Sequence, residues 1–351
     1  MPVDKIYREF DSSAINLISA WEKVQVILEG KIPTPEVVEI FPTNFCNYRC
    51  PHCRFQTVHG TEVSFMPFDA ISKLLYELKD RQVKYIELSG GGEPLLHPDI
   101  DKIIDLIISL DLRVGLITNG SMLINNDKLL LKLLKCCNWI RFSIDGFTEE
   151  TYRRVHGLED FDIELLFNTI SKLVQKKNDL PRIGLKILVS NLNQSDAIPA
   201  IRKAKELQVD YLQLKYLSFP QELVLSDKKQ SSITKKIKDE IKEGYKDLVV
   251  DLVPAYKGAP PIRQKCLMTF LHPLIDWDGQ IYICAFFNHR KKQHSIGNIN
   301  ESGFFKHWDS PEHMEVFQAI DPMTCMPNCP MLRYQPVIEF IQSDWYRFGF
   351  I

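Results

Sequence analysis

Three cysteines crowd one short stretch, Cys46-Asn-Tyr-Arg-Cys50-Pro-His-Cys53, just after a short apolar run. No other feature limits the fold as strongly. Thiols at C-x3-C-x2-C spacing on a single loop suit a cubane iron–sulfur cluster that takes three protein thiolates and leaves one iron open. A structural zinc site would want four protein ligands, and no fourth cysteine or closing pair lies near this loop. His52 is a further candidate ligand, but wedged between Cys50 and Cys53 its ring is expected to point away from the metal. A zinc knuckle and coincidental cysteines are the competing readings.

The chain has 351 residues, enough for one large α/β domain and a smaller one. With 45% hydrophobic residues and a formal net charge of −2, it reads as an ordinary globular protein without the basic surplus that nucleic acid as main partner would favour. The first residues lack the apolar core of a signal peptide. No run is apolar for long enough to span a bilayer. Nine cysteines without a secretory signal argue for metal-bound thiolates in a reducing cytoplasm rather than for disulfides.

Residues 1–35 read as a helical extension, with helical spacing over 12–29, Ser12 or Ser13 as N-cap and Gly30 as stop. Over 36–220, strand-like runs at 36–41, 84–90, 112–118, 138–145, 183–190 and 210–217 alternate with helical patterns near 68–80, 98–109, 125–136, 162–177 and 197–207. Six βα repeats predict an α/β fold with a parallel sheet, an open partial (β/α)6 TIM barrel whose chemistry gathers at the C-terminal strand ends. Those ends carry Ser89-Gly-Gly-Gly-Glu93-Pro94, Thr118-Asn119-Gly120, Ser143-Ile-Asp145-Gly146 and Ser190-Asn191. Each is also plain turn chemistry. Gln213 and Lys215 share one face of the sixth strand and reach either the cavity or solvent. The bases of Tyr152-Arg-Arg-Val-His156-Gly157 follow the fourth strand, near the substrate entrance or on the surface. Cys136 and Cys137 enter that strand from its opposite end and read as inert buried thiols.

Taken together, the cysteine loop and the Gly91-Gly92-Glu93-Pro94 turn some forty residues later resemble the radical S-adenosylmethionine (SAM) superfamily. The resemblance implies a [4Fe–4S] cluster on Cys46, Cys50 and Cys53 whose open iron chelates the amino and carboxylate groups of SAM. It places His52 beside the adenine, and Gly91, Gly92, Glu93 and Pro94 at the methionine ammonium. It offers Asn119, Ser143, Lys186, Ser190 and Asn191 as further SAM contacts. An external one-electron donor such as flavodoxin or ferredoxin is implied as partner. About forty residues precede the loop, too few for the peptide-recognition domain that many peptide-modifying relatives carry at this end.

Residues 221–262 read as a connector with a Lys/Glu-rich helix near 231–246 and a proline-rich turn at 259–261. In 263–335, Cys266 and Cys284 have seventeen residues between them, including a hairpin signal at Asp278-Gly279, and Cys325 and Cys329 form a C-x3-C pair. Four thiolates there close either an iron–sulfur or a zinc site. Ser295-Ile-Gly-Asn-Ile-Asn300 and Phe305-Lys-His-Trp308 resemble the SPASM domain in its shortened "twitch" form. That likeness implies one auxiliary [4Fe–4S] cluster on Cys266, Cys284, Cys325 and Cys329. The aromatic tail, 336–351, reads as a packing helix, or less simply as a lid.

The resemblance implies reductive cleavage of SAM followed by hydrogen abstraction from a substrate. A fully ligated auxiliary cluster suits electron transfer, so the expected outcome is dehydrogenation of a small polar molecule such as a sugar or aminocyclitol. A peptide maturase is the alternative. An epimerase would need a hydrogen donor on the opposite face, a role for which only Tyr216 or a misplaced thiol remains.

Overall fold

The computed structural model describes residues 20–55, 62–242, 248–253, 265–284, 291–325, 329, 331 and 334. The expected turn at 259–261 and the tail at 336–351 lie outside them. So does the first part of the N-terminal helix, whose described span is α1 (Trp21–Leu28).

Strands β1 (Val37–Ile40), β2 (Tyr85–Leu88), β3 (Val114–Thr118), β4 (Cys137–Ser143), β5 (Arg182–Val189), β6 (Tyr211–Tyr216) and β7 (Val249–Val253) alternate with helices α2 (Phe68–Asp80), α3 (Ile100–Ser109), α4 (Asp127–Cys136), α5 (Glu149–His156), α6 (Ile163–Lys176), α7 (Ala197–Glu206) and α8 (Asp227–Lys242). The helices follow the apolar period. In α3, Ile100, Ile103, Ile104 and Ile107 make one buried stripe. Asn126 caps α4 by accepting the Leu129 N–H, and Thr148 caps α5 by accepting that of Thr151.

Two compact units divide the chain, one from the described residues of Ile40–Ser72 and Tyr85–Ala255, the other from those of Met1–Glu39, Lys73–Lys84 and Tyr256–Ile351. In the first, β2 to β7 are parallel neighbours in chain order, and Ile40 at the end of β1 accepts the Ser89 N–H at 3.2 Å. This is the partial barrel that the repeats predict, with one strand more. β7 pairs with β6 from a stretch expected to be connector. Its Val-Val-Asp-Leu-Val run is short and stands alone between a charged helix and a proline-rich segment, which masks the alternation. α5 is likewise a helix that the sequence patterns did not separate from the strand end before it.

The two faces of this sheet differ. Ile140, Phe142, Leu185, Ile187, Leu212 and Leu214 are wholly buried, the face on which βα crossovers lay their helices. The alternate positions Arg141, Ser143, Lys186, Gln213 and Lys215 are half-buried, and the Gln213 amide donates to Asp251 Oδ2 on β7 at 2.9 Å. Gly115 and Gly184 lie on this second face, where a Cβ would overlap the rings of Trp139 and Tyr211 from the neighbouring strands. The two aromatics thus lie flat across the sheet.

In the second unit, β8 (Leu274–Ile275) and β9 (Gln280–Tyr282) form the antiparallel hairpin expected at Asp278-Gly279, with Gly279 at φ +82°. β10 (Ser295–Asn298) pairs antiparallel with β9. Val37 and Glu39 donate to Leu271 and Pro273, both at 3.0 Å. Phe304 and Trp308, on the short helix α9 (Phe304–Trp308), are fully buried, and the Trp308 indole donates to Pro33 O at 2.9 Å. Glu77 receives the Phe304 and Phe305 N–H groups at 2.9 and 3.2 Å, a carboxylate where a helix start favours one.

Candidate functional site

The cysteine loop leaves β1 and is gripped from two sides. On one side, Glu93 N–H donates to Phe45 O at 2.8 Å. Gly92 lies so close that a Cβ would overlap Phe45 O and the backbone of Asn44. The glycine is therefore required by approach of backbone to backbone. On the other side, Arg49 N–H donates to His156 O at 2.9 Å, at the last turn of α5. Gly157, at φ +62°, ends that helix against Arg49 O, again where a Cβ would collide. The Tyr48 and Tyr152 hydroxyls share a hydrogen bond of 3.1 Å between loop and helix.

Glu93 is buried and accepts three hydrogen bonds: from the Thr118 hydroxyl at 2.7 Å, from Asn119 N at 2.7 Å and from Leu95 N at 3.1 Å. Burial pushes its carboxyl up to about 7, against the pull of those donors. Pro94 opens the short 3-10 turn that Glu93 caps. Asn119 gives its side-chain N–H to Asn47 Oδ1 at 2.9 Å and lies 4.0 Å from the Cys46 sulfur. The Gly-Gly-Glu-Pro turn, the Thr-Asn-Gly end of β3 and the cysteine loop thus form one hydrogen-bonded group.

His52 points at Asp145, not at the thiols, with Nε2 and Oδ2 3.1 Å apart. Asp145 also accepts the Leu188 N–H at 2.6 Å, and its carbonyl accepts from Asn193 at 2.5 Å. Burial alone would raise this carboxyl, yet the His52 hydrogen bond, with charge on His52, His156 and Lys186, holds it well below the usual range. Asp145 keeps a positive φ of 27°, a strained conformation fixed by these partners. His156 Nδ1 lies 3.1 Å from the Cys50 sulfur.

The sequence reading singled out His156 only as one of several bases after β4. The structure splits that group: Tyr152, Val155 and His156 face inward, while Arg153 and Arg154 pair with Glu149 and Glu150 on the surface. Asn47 and Asn193 were not anticipated, because the partners that tie them to the site, Asn119 and Asp145, come from distant turns; Thr118 was read only as part of a strand-end turn. Ser143 lies beside Lys186 in the β4–β5 register. Ser190 and Asn191 are occupied locally. The Ser190 hydroxyl bonds Asn193 and Leu192, and the Asn191 amide bonds Glu222 O.

The donor set fits an iron–sulfur cluster. Burial pushes the Cys46 thiol up to about 11 and Cys50 well above the ordinary thiol range, and charge on the neighbouring thiolates adds to both. Three such thiolates are unstable side by side without a cation among them. The Tyr48 and Phe55 N–H groups point at the sulfurs of Cys46 and Cys53, each at 3.4 Å, as donors to metal-bound thiolates do. In the second unit Cys266 is pushed up to about 12, first by burial and then by the Cys329 and Cys325 charges, while Cys284 and Cys329 are buried. Among the described residues no three His, Cys, Asp or Glu side chains converge on a point that would hold one metal ion. A cubane instead binds each thiolate to a different iron. No described helix is long and apolar enough to cross a membrane.

Residues 40–210 match the Radical SAM superfamily, and residues 266–330 match the SPASM iron–sulfur cluster-binding domain. The chain is 24% identical over 331 residues to the tungsten-containing aldehyde ferredoxin oxidoreductase cofactor-modifying protein of Pyrococcus furiosus, covering 86% of this chain and 88% of that one. It is 24% identical over 313 residues to the antilisterial bacteriocin subtilosin biosynthesis protein AlbA of Bacillus subtilis, covering 87% and 67%. A 92-residue stretch is 33% identical to GTPase Obg of Brachyspira hyodysenteriae, 24% of this chain but only 14% of that protein. Among solved structures, Streptococcus suis SuiB bound to S-adenosylmethionine shares the fold at a TM-score of 0.66 and 15% identity, over 94% of this chain and 80% of that one. Cluster loop, glycine turn and hairpin domain therefore have one explanation: the chain belongs to the radical SAM superfamily, an enzyme of the kind that carries a SAM-binding [4Fe–4S] cluster and, in a C-terminal SPASM domain, an auxiliary cluster.

Proposed function

We propose that Cys46, Cys50 and Cys53 hold the SAM-binding cluster, that Cys266, Cys284, Cys325 and Cys329 hold the auxiliary one, and that the chain oxidises a small polar molecule by two electrons. When bound, the first cluster supplies the single electron that breaks a sulfur–carbon bond of SAM. The protein's share is to hold and enclose. Glu93 and Asn119 brace the loop, His156 lies against the Cys50 sulfur, and the Asp145–His52 pair lies beside it. The half-buried sheet face, with Arg141, Lys186 and Gln213, offers polar groups to a substrate and keeps bulk water from the reacting carbon.

One observation carries oxidation over epimerisation. Seven cysteines belong to the two proposed clusters, and the other two, Cys136 and Cys137, are buried at the start of β4, the far end from the loop. Tyr216, the remaining candidate donor, is also turned away. Its hydroxyl bonds Gln230 O at 3.0 Å and Thr234 at 2.9 Å, both on α8. With no thiol placed to return a hydrogen atom, the substrate radical would instead lose an electron and a proton, and an auxiliary cluster held by Cys266, Cys284, Cys325 and Cys329 would supply the electron acceptor.

The test is anaerobic turnover of the reconstituted enzyme with candidate deuterated substrates, following deuterium into 5′-deoxyadenosine. Replacing Cys266 and Cys284 by Ala should leave SAM cleavage intact and abolish the oxidised product; continued product formation rejects the acceptor role. A second reading, modification of a peptide, draws support from the likeness to AlbA. It predicts deuterium transfer from a labelled precursor peptide and none from sugars or aminocyclitols.

A further inference from the structure

The half-buried face of the barrel sheet is layered. Pairing sets Ile117, Arg141, Gly184 and Tyr211 in one row across β3 to β6. Ser143, Lys186, Gln213 and Asp251 form the next row across β4 to β7, nearer the C-terminal strand ends. Lys186 in that upper row feels the charge of Cys53 and Asp145, so the lower row lies one layer beneath the surroundings of the cysteine loop. Two aromatic rings lie flat in this part of the sheet, Trp139 over Gly115 and Tyr211 over Gly184. They differ in what covers them. Arg141 sits on the Trp139 ring, its guanidinium carbon 5.4 Å from the ring centroid. Tyr211 is half-buried, and among the described residues no ring or cation packs on it and no hydrogen bond reaches its hydroxyl. Burial raises the affinity of that hydroxyl for its proton; Arg141 opposes this, while Glu87, Asp210 and Asp251 add to it. In the row above, the Gln213 amide donates to Asp251 Oδ2 at 2.9 Å. That bond leaves Gln213 Oε1 and Asp251 Oδ1 as acceptors.

A sheet glycine shielded by a cross-strand aromatic is a structural device, and it accounts for the ring lying on Gly184. It does not account for an outer face and a hydroxyl left without partners beside two acceptor oxygens. The face of an aromatic ring is electrically negative and attracts the weakly positive C–H bonds of a saturated ring. A carboxylate and an amide oxygen at its border take hydroxyl or ammonium donors. We propose that Tyr211 is a stacking platform for a saturated ring, carbocyclic or pyranose, whose hydroxyl or amino groups are held by Asp251 and Gln213. The inference rests on the reading of the chain as an enzyme that oxidises a small polar molecule, and it narrows that molecule to a cyclic one.

The experiment uses the full chain with its clusters reconstituted anaerobically and SAM present. Calorimetry and saturation-transfer NMR measure binding of myo-inositol, D-glucose and D-glucosamine, with sorbitol as the open-chain control. At least one ring compound should bind saturably and more tightly than sorbitol, with the strongest saturation transfer at its ring C–H protons. Tyr211→Phe keeps the aromatic face and should hold that affinity within about twofold, whereas Tyr211→Leu removes the face and should weaken it about three- to tenfold, the range of one aromatic contact. Asp251→Ala should also weaken ring binding, while Tyr76→Leu, at an exposed position on α2, leaves it unchanged. Variants are compared at matched iron content, and the saturation-transfer pattern of the parent tests stacking without any variant. Absence of saturable ring binding, sorbitol binding as tight as that of the rings, or ring binding that survives Tyr211→Leu overturns the proposal. Deuterium transfer into 5′-deoxyadenosine is scored separately. Transfer from a precursor peptide and from none of the ring compounds rejects the small-molecule reading; transfer from a ring compound that Tyr211→Leu leaves unchanged rejects the platform alone.

Discussion

At the scale of single residues, the site combines buried charge with few spare partners. His156 illustrates the consequence. Its Nδ1 lies 3.1 Å from the Cys50 sulfur, and its Nε2 is buried without a hydrogen-bond partner. Toward a metal-bound thiolate the ring must donate from Nδ1, and donors to cluster sulfurs raise the reduction potential. His156→Leu is expected to keep the fold and the iron content while making the first cluster harder to reduce. Redox titration followed by electron paramagnetic resonance checks this, and an unchanged midpoint means that the ring only fills space. Glu93 gives a complementary expectation. Glu93→Gln keeps the size but replaces one acceptor oxygen by a donor facing Thr118 or Asn119, so iron retention during gel filtration should fall.

At the scale of elements, two glycines let the cysteine loop nest between a βα turn and the end of a helix. Gly92→Ala places a methyl on Phe45 O, and Gly157→Ala does so on Arg49 O while also forcing a left-handed φ. Each is expected to cost about 1–3 kcal/mol and to reduce cluster content. Chemical unfolding and iron analysis test both, and an unshifted midpoint for either rejects the tight-approach argument. Much of this level was legible in advance. The isoleucine stripe of α3 and the Asp-Gly hairpin follow from local spacing alone. β7 did not, because a five-residue edge strand takes its identity from pairing with β6. Nor did the engagement of Ser190 and Asn191 by their own turn, since side-chain hydrogen bonds to nearby backbone leave no periodic trace. The spacings that suggest the two cysteine sets are local in sequence; the contact of His156 with Cys50, 106 positions apart, leaves no such trace.

At the scale of the whole molecule, buried histidines set the response to acid. Burial pushes His156 and His313 down to about 4, one in each unit. Unfolded, both take up protons near pH 6.5, so folding stability is lost as pH falls from about 6.5 toward 4. Glu93, raised to about 7, works the other way over part of that window and softens the decline. The melting temperature of the cluster-free protein should fall by several degrees between pH 7 and pH 5. His313 donates from Nδ1 to Trp308 O at 2.8 Å. His313→Gln keeps a donor there and removes the proton uptake, so its melting curve should be less sensitive to acid. An equal slope in parent and variant refutes this assignment.

The grip of Phe45 by Glu93 and of Arg49 by His156 bears on how the enzyme is made. The backbone hydrogen bonds of Phe45 and Arg49 and the two glycine contacts are made by protein alone, so the loop is anchored on both sides before any iron arrives. In small zinc modules, metal binding and folding are a single event. Here the ordering entropy of the cysteine loop is already spent when the chain folds, and loading becomes a delivery step into a standing mould. Maturation can then lag behind synthesis without exposing the core. Amides of Tyr48 and Phe55 should exchange with deuterium almost as slowly before cluster insertion as after it.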